Sequence, residues 1–171
     1  ARRLLERGVR FVQLFSGGPL GGKQRTSWDG HEDMIGNHTR EALRIDQPVA
    51  ALLKDLKQRG MLEDTLVTFT TEFGRTPFTQ SPSNKVGLGR DHNGTGFTVW
   101  MAGAGLRSGI AYGNTDETGY RAEENRVSWH DFHATVLHLL GIDHERLTFY
   151  HNGIQRRLTN VHGHIISDLL A

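Results

Sequence analysis

Carboxylates and imidazoles recur in this chain at places where a strand or a tight loop would present them. The stretch Thr65-Leu-Val-Thr-Phe-Thr-Thr-Glu72-Phe-Gly-Arg-Thr-Pro77 is a β-branched and aromatic run that stops at an acid, a glycine, an arginine and a proline. A polar loop follows, and then Gly89-Arg-Asp-His92-Asn, a second acid–imidazole pair. Asp29 and His31 form a third group in Trp28-Asp-Gly-His31. Deprotonated carboxylate plus neutral imidazole is the oxygen-and-nitrogen donor set for zinc and related divalent ions. Asp29, His31, Glu72 and His92 are therefore the candidate metal ligands. Arg75 and Arg90 are placed to hold an oxyanion such as phosphate or sulfate. Each group also has a structural reading. Asp29 fits an Asx-turn beside a surface histidine, Glu72 an ion pair with Arg75, and Asp91 a turn cap beside a solvated His92.

Such groups need elements to position them. Val9–Phe15 alternates apolar and polar and predicts a strand. Gly17 to Ser27 predicts a loop. Ala42–Arg59 carries Leu43, Val49, Leu52, Leu53 and Leu56 at helical spacing and stops at Gly60, with Pro48 kinking it or opening its second half. Thr65–Thr71 reads as a strand covered on both faces, and Gly96–Ala102 as the next. Ile110–Tyr112 reads as a short strand, Gly113–Asn125 as a charged loop, and Phe132–Leu140 as a helix capped by Gly141. The segment from Ile142 onward is read as irregular, ending in a short apolar stretch. Strand, helix, strand, strand, helix in this order predicts an α/β fold with a largely parallel sheet, ligands standing at the strand ends.

The 171 residues suffice for one domain with a core of its own. Twenty Lys and Arg against 19 Asp and Glu leave a net charge of +1, with the basic groups scattered. Neither a nucleic-acid stripe nor a membrane-binding patch is visible, so neither partner is expected. The absence of cysteine excludes disulfides and thiolate metal sites. Of the 10 histidines, His130, His133, His138 and His144 lack the i, i+4 pattern of a helical zinc motif and are read as packing or surface groups. Ala1-Arg-Arg-Leu-Leu-Glu-Arg-Gly8 reads as the tail of a helix, as in a fragment of a longer protein.

Trp28-Asp-Gly-His31, the Glu72-Phe-Gly-Arg-Thr-Pro77 string, Gly89-Arg-Asp-His-Asn-Gly-Thr-Gly-Phe97, Ala102-Gly-Ala-Gly105 and Tyr112-Gly-Asn-Thr-Asp-Glu117 together resemble an exported bacterial family. It is the domain of unknown function 1501, placed within the alkaline phosphatase/sulfatase superfamily. The resemblance covers the whole chain. It implies that residues 1–171 are the C-terminal part of a single alkaline-phosphatase-like α/β domain, a largely parallel sheet flanked by helices. It implies export, and metal-dependent hydrolysis of a phosphate or sulfate ester on a small molecule or saccharide, with zinc, calcium or manganese as cofactor. By order along the chain, Asp29 and His31 match the superfamily's first ligand pair, Glu72 the acid of the second, and His92 the final histidine. Relatives carry Asp-His where this chain has Glu72-Phe73, and phenylalanine cannot ligate a metal. The superfamily's hydroxyl nucleophile lies in the N-terminal half of its fold and maps to no residue here. A catalytically inactive binding or scaffold protein and a phosphoglycerate-mutase-like phosphotransferase are the two alternative expectations.

Overall fold

The computed structural model describes residues 1–17, 28–80 and 88–171. In chain order the elements are α1 (Arg2–Leu5), α2 (Met34–Gln58), β1 (Val67–Phe69), β2 (Gly74–Thr79), β3 (Arg90–Asn93), β4 (Trp100–Ala102), β5 (Asn114–Thr115), β6 (Ala122–Glu124), α3 (Trp129–Leu139), β7 (Thr148–His151) and β8 (Ile154–Arg157), with a 3₁₀ turn at Ser167–Leu169. The loop expected over Gly17–Ser27 falls, from residue 18 on, outside the described residues, as does most of the polar loop after Pro77. Among the described residues, no helix is long and apolar enough to cross a membrane.

Every sheet among the described residues is two-stranded and antiparallel: β1 with β4, β2 with β3, β5 with β6 and β7 with β8. The expected alkaline-phosphatase-like α/β architecture, a largely parallel sheet flanked by helices, is overturned by this pairing. A β-branched run signals a strand without signalling its direction. A parallel pair needs a crossover segment, usually a helix, between its strands. Between β1 and β4 the chain instead forms the β2–β3 hairpin. Nor is β1 covered on both faces, since Thr68 is exposed between two half-buried neighbours.

The chain divides into two compact units. The first comprises Ala1–Leu62 and Thr71–Phe97 and holds α1, α2 and the β2–β3 hairpin. Asp33 caps α2 by accepting the Gly36 N–H at 2.9 Å, so the helix begins at Met34 rather than at Ala42. Pro48 lies within it, on an exposed face. Arg2 of α1 pairs with Asp55 of α2, which Arg59 also engages at 2.7 Å. Opposite β3, the β2 strand bulges: Thr76, Pro77 and Phe78 stand against Asp91 alone, between the pairs Arg75–His92 and Thr79–Arg90. Proline, which cannot donate to a ladder, is tolerated at such a bulge. Val9–Phe15, expected as a strand, pairs with nothing among the described residues, and Phe11 and Phe15 are 73% and 88% exposed.

The second unit comprises Glu63–Thr70 and Thr98–Ala171. Ile110–Tyr112 is not a strand, while the expected loop at Gly113–Asn125 is the β5–β6 hairpin. That hairpin is closed by Asp116, which accepts N–H groups of Thr118, Tyr120 and Arg121. The segment read as irregular contains the β7–β8 hairpin, whose Asn152-Gly153 turn has positive φ at both residues, as a tight hairpin of this hand requires. Helix α3 opens with a capping box: the Asp131 N–H donates to Ser128 Oγ at 3.2 Å, and the Ser128 N–H donates to Asp131 Oδ2 at 2.9 Å. The same carboxylate accepts the His164 N–H at 2.8 Å, and Thr135 Oγ1 accepts that of Ile166 at 3.0 Å, so the C-terminal segment is tied to the helix.

Burial pushes the Asp131 carboxyl upward, but the bonds from Ser128 and His164 outweigh it and hold the group below its ordinary value. A carboxyl depressed in the fold stabilises above its unfolded value and loses that stabilisation as pH falls through the folded one. Asp131→Asn is therefore expected to cost about 1 kcal/mol at neutral pH, the scale of a lost cap. In thermal melts the gap to wild type should close below about pH 4, the ordinary Asp range.

Candidate metal centre

The first unit brings three of the four proposed ligands together. Asp29 and His31 sit on the turn that leads into α2, and His92 sits on β3. His31 Nε2 lies 2.7 Å from Asp29 Oδ1 and 2.8 Å from His92 Nε2, and His92 Nε2 lies 3.3 Å from Asp29 Oδ1. Metal–ligand bonds of about 2.0–2.1 Å require ligand atoms about 2.9 Å apart at right angles and about 3.3 Å apart in a tetrahedron. The observed triangle, with sides of 2.7, 2.8 and 3.3 Å, lies within about 0.2 Å of those dimensions. Three lone-pair-bearing atoms turned on one point repel each other unless a cation or protons stand among them, so the donor set fits a divalent ion. Among the described residues, Asp29, His31 and His92 are the group of acids and imidazoles that meets this condition.

Backbone contacts hold the turn against β3. Arg90 N–H donates to the Gly30 carbonyl at 3.0 Å, Met34 N–H donates to Leu88 O at 3.2 Å, and Asp33 bridges to Leu88. Gly89 lies between these contacts, and a Cβ there would overlap the His31 carbonyl and stand 2.6 Å from Glu32 N. No side chain fits that position. His38 Nε2 contacts the Trp28 carbonyl at 2.8 Å, which steadies the start of the turn from α2.

Arg75 pairs directly opposite His92 in the hairpin register. Its Nη2 donates to Asp29 Oδ1 at 3.1 Å and to Trp28 O at 3.3 Å, and its Nη1 donates to Arg90 O at 3.2 Å. The guanidinium thus clamps the Asp29 turn to β3 while placing a positive charge beside the centre. Arg90 shares the His92 face of β3, by the two-residue period of a strand, and turns Nη1 to the Gly89 carbonyl at 3.0 Å. For Asp29, burial works upward on the carboxyl. The Arg75 and His92 bonds and the His31 ring outweigh it, leaving the group below the usual carboxylate range and ready to ligate.

Glu72 is not brought into the triad. It is exposed, just before β2, and accepts from Thr71 Oγ1 at 3.4 Å. Phe73, the next residue, packs its ring on the His92 imidazole at a centroid separation of 4.1 Å. Asp91 accepts the His92 N–H at 2.7 Å and lies 3.9 Å from His31 Nδ1. Two contributors escape sequence reasoning. Gln80, whose Oε1 meets His31 Nδ1, belongs to no motif, and Phe73 was read only as a lost ligand. The strand register that places both was not visible in residue types.

Gly89→Ala should overpack the turn against β3, at about 1–3 kcal/mol. Metal affinity measured by chelator competition should fall with it, whereas Gly94→Ala, at a site open on all sides, should leave that affinity unchanged.

A search of curated proteins and a search of solved structures each return nothing similar. The model of a family described as protein of unknown function (DUF1501) matches residues 1–170, a span that includes the triad, its clamp and the glycine contact. This chain belongs to the DUF1501 family.

Proposed function

We propose that this protein is a metal-dependent hydrolase of phosphate or sulfate esters, with sulfatase- or phosphatase-like chemistry, and that Asp29, His31 and His92 hold its divalent ion. The observation that carries this reading is the convergence of His31 Nε2, His92 Nε2 and Asp29 Oδ1 within 2.7–3.3 Å of one another. Three protein ligands leave coordination positions open, as in catalytic rather than structural sites. A bound divalent ion would supply Lewis acidity toward an anionic ester oxygen and lower the pKa of water at the site.

The residues supply the rest. One carboxylate and two neutral imidazoles leave part of a divalent charge uncancelled, and Arg75 adds to it at 3.1 Å from Asp29. Such a centre favours an anionic substrate over a neutral one. Arg75 keeps Asp29 ionised and oriented. Arg90, on the His92 face of β3, is assigned to steering the anion. The exposed position of Glu72 and the Phe73 ring against His92 favour a single ion over a pair.

Elemental analysis of the full-length protein after loading with zinc, manganese or calcium is expected to find about one ion per chain, with hydrolysis of some member of a phosphate and sulfate ester panel. Asp29→Ala and His92→Ala should lower affinity by more than the roughly 10–100-fold typical of losing an outer partner, and should abolish turnover. Bound metal without cleavage of any ester would favour a binding protein of the same architecture. Absence of metal from the wild type would refute the centre itself.

A further inference from the structure

Metal-ligating histidines depend on what their second ring nitrogen touches, because that bond fixes the tautomer and the ring's orientation. His31 turns Nε2 toward Asp29 and His92, and its Nδ1 meets the side-chain oxygen of Gln80. A carboxamide oxygen can only accept, so the proton of this bond belongs to His31 Nδ1, and in the neutral ring the Nε2 lone pair is left for a ligand. Gln80 follows directly on β2, where its own N–H donates to the Gly89 carbonyl at 3.3 Å. One strand register therefore sets two things: the glycine that admits the His31 backbone, and the amide that addresses the His31 ring.

We infer that Gln80 is a positioning residue that holds His31 in its Nδ1–H form, so that Nε2 faces the ion-binding point. Its role as a ligand-orienting group rests on the metal-centre reading. His92 is held by other means: the Phe73 ring packs on its imidazole, and its backbone N–H donates to Asp91. The two imidazoles of the centre are thus oriented differently, His31 by a hydrogen bond and His92 by a ring wall. Removing the Gln80 acceptor should act directly on His31 and reach His92 only through the 2.8 Å Nε2–Nε2 contact.

Two measurements on the full-length protein separate this inference from the reading beneath it. The first needs no metal. In long-range ¹H–¹⁵N spectra at about pH 9, where an ordinary imidazole is neutral, wild-type His31 should show a protonated Nδ1. Gln80→Leu, of similar size and without an acceptor, should move that proton to Nε2 and shift the signals of His92, whose Nε2 lies 2.8 Å away. A wild-type His31 protonated at Nε2, or a Gln80→Leu spectrum identical to wild type, would overturn the inference. The second is zinc affinity by chelator competition. Gln80→Leu should lose about 10–100-fold, while Gln80→Glu, a stronger acceptor, should bind at least as tightly as wild type. A merely structural role would not give that rescue. Zinc bound equally by wild type and Gln80→Leu, but lost in Asp29→Ala, would overturn the inference and leave the centre standing. Zinc bound by none would overturn the centre and the ligand-orienting role together.

Discussion

The arrangement around Asp29, His31 and His92 depends on a backbone approach that only glycine permits. At Gly89 the first residue of the Gly89-Arg-Asp-His92 string lies against the His31 carbonyl so closely that a β-carbon would overlap it. That approach brings the turn before α2 onto β3, and with it two of the proposed ligands from one segment onto the third from another. The hydrogen bonds of Arg90 N–H to Gly30 O and of Met34 N–H to Leu88 O then hold the turn from both sides of the glycine. Gly74 repeats the device on the partner strand, where a Cβ would overlap Gly96 O and stand 2.9 Å from Phe97 Cβ. The hairpin is therefore defined by close backbone packing as much as by apolar burial. Few large apolar side chains are fully buried among the described residues; Leu56 is one.

On this frame each ionic group has more than one partner. Asp29 is met by Arg75, His31 and His92, and Arg75 reaches in turn to the carbonyls of Trp28 and Arg90. Partial burial pushes a carboxyl toward its neutral form, whereas a guanidinium beside it favours the charged one. Arg75 thus keeps Asp29 ionised while fastening its turn to the strand that carries His92.

The residue types of the proposed ligands were legible in the sequence and the fold was not. Asp29, His31 and His92 follow from residue chemistry and from order along the chain. Their convergence follows from two short antiparallel segments whose direction no β-branched pattern encodes. The run at Thr65–Thr71 announces a strand equally well for either direction, and its pairing with Trp100–Ala102 is decided by tertiary contacts. Glu72 looked like a strand-end ligand because the strand was expected to end there. Instead β2 starts at Gly74, and Glu72 occupies the exposed bend before it. Hairpins at Asn114–Glu124 and Thr148–Arg157 were missed for a related reason, since their strands are short and largely exposed, with no buried face to alternate. Asn152-Gly153 was the clearest signal of the second.

The central claim is that two imidazoles and one carboxylate hold a single divalent ion. X-ray absorption at the zinc edge of the loaded full-length protein tests it most directly, because multiple scattering counts imidazole rings. The account predicts two imidazoles with oxygen ligands completing the shell, falling to one in His92→Ala. A first shell of oxygen alone, or a spectrum unchanged by that substitution, would contradict it.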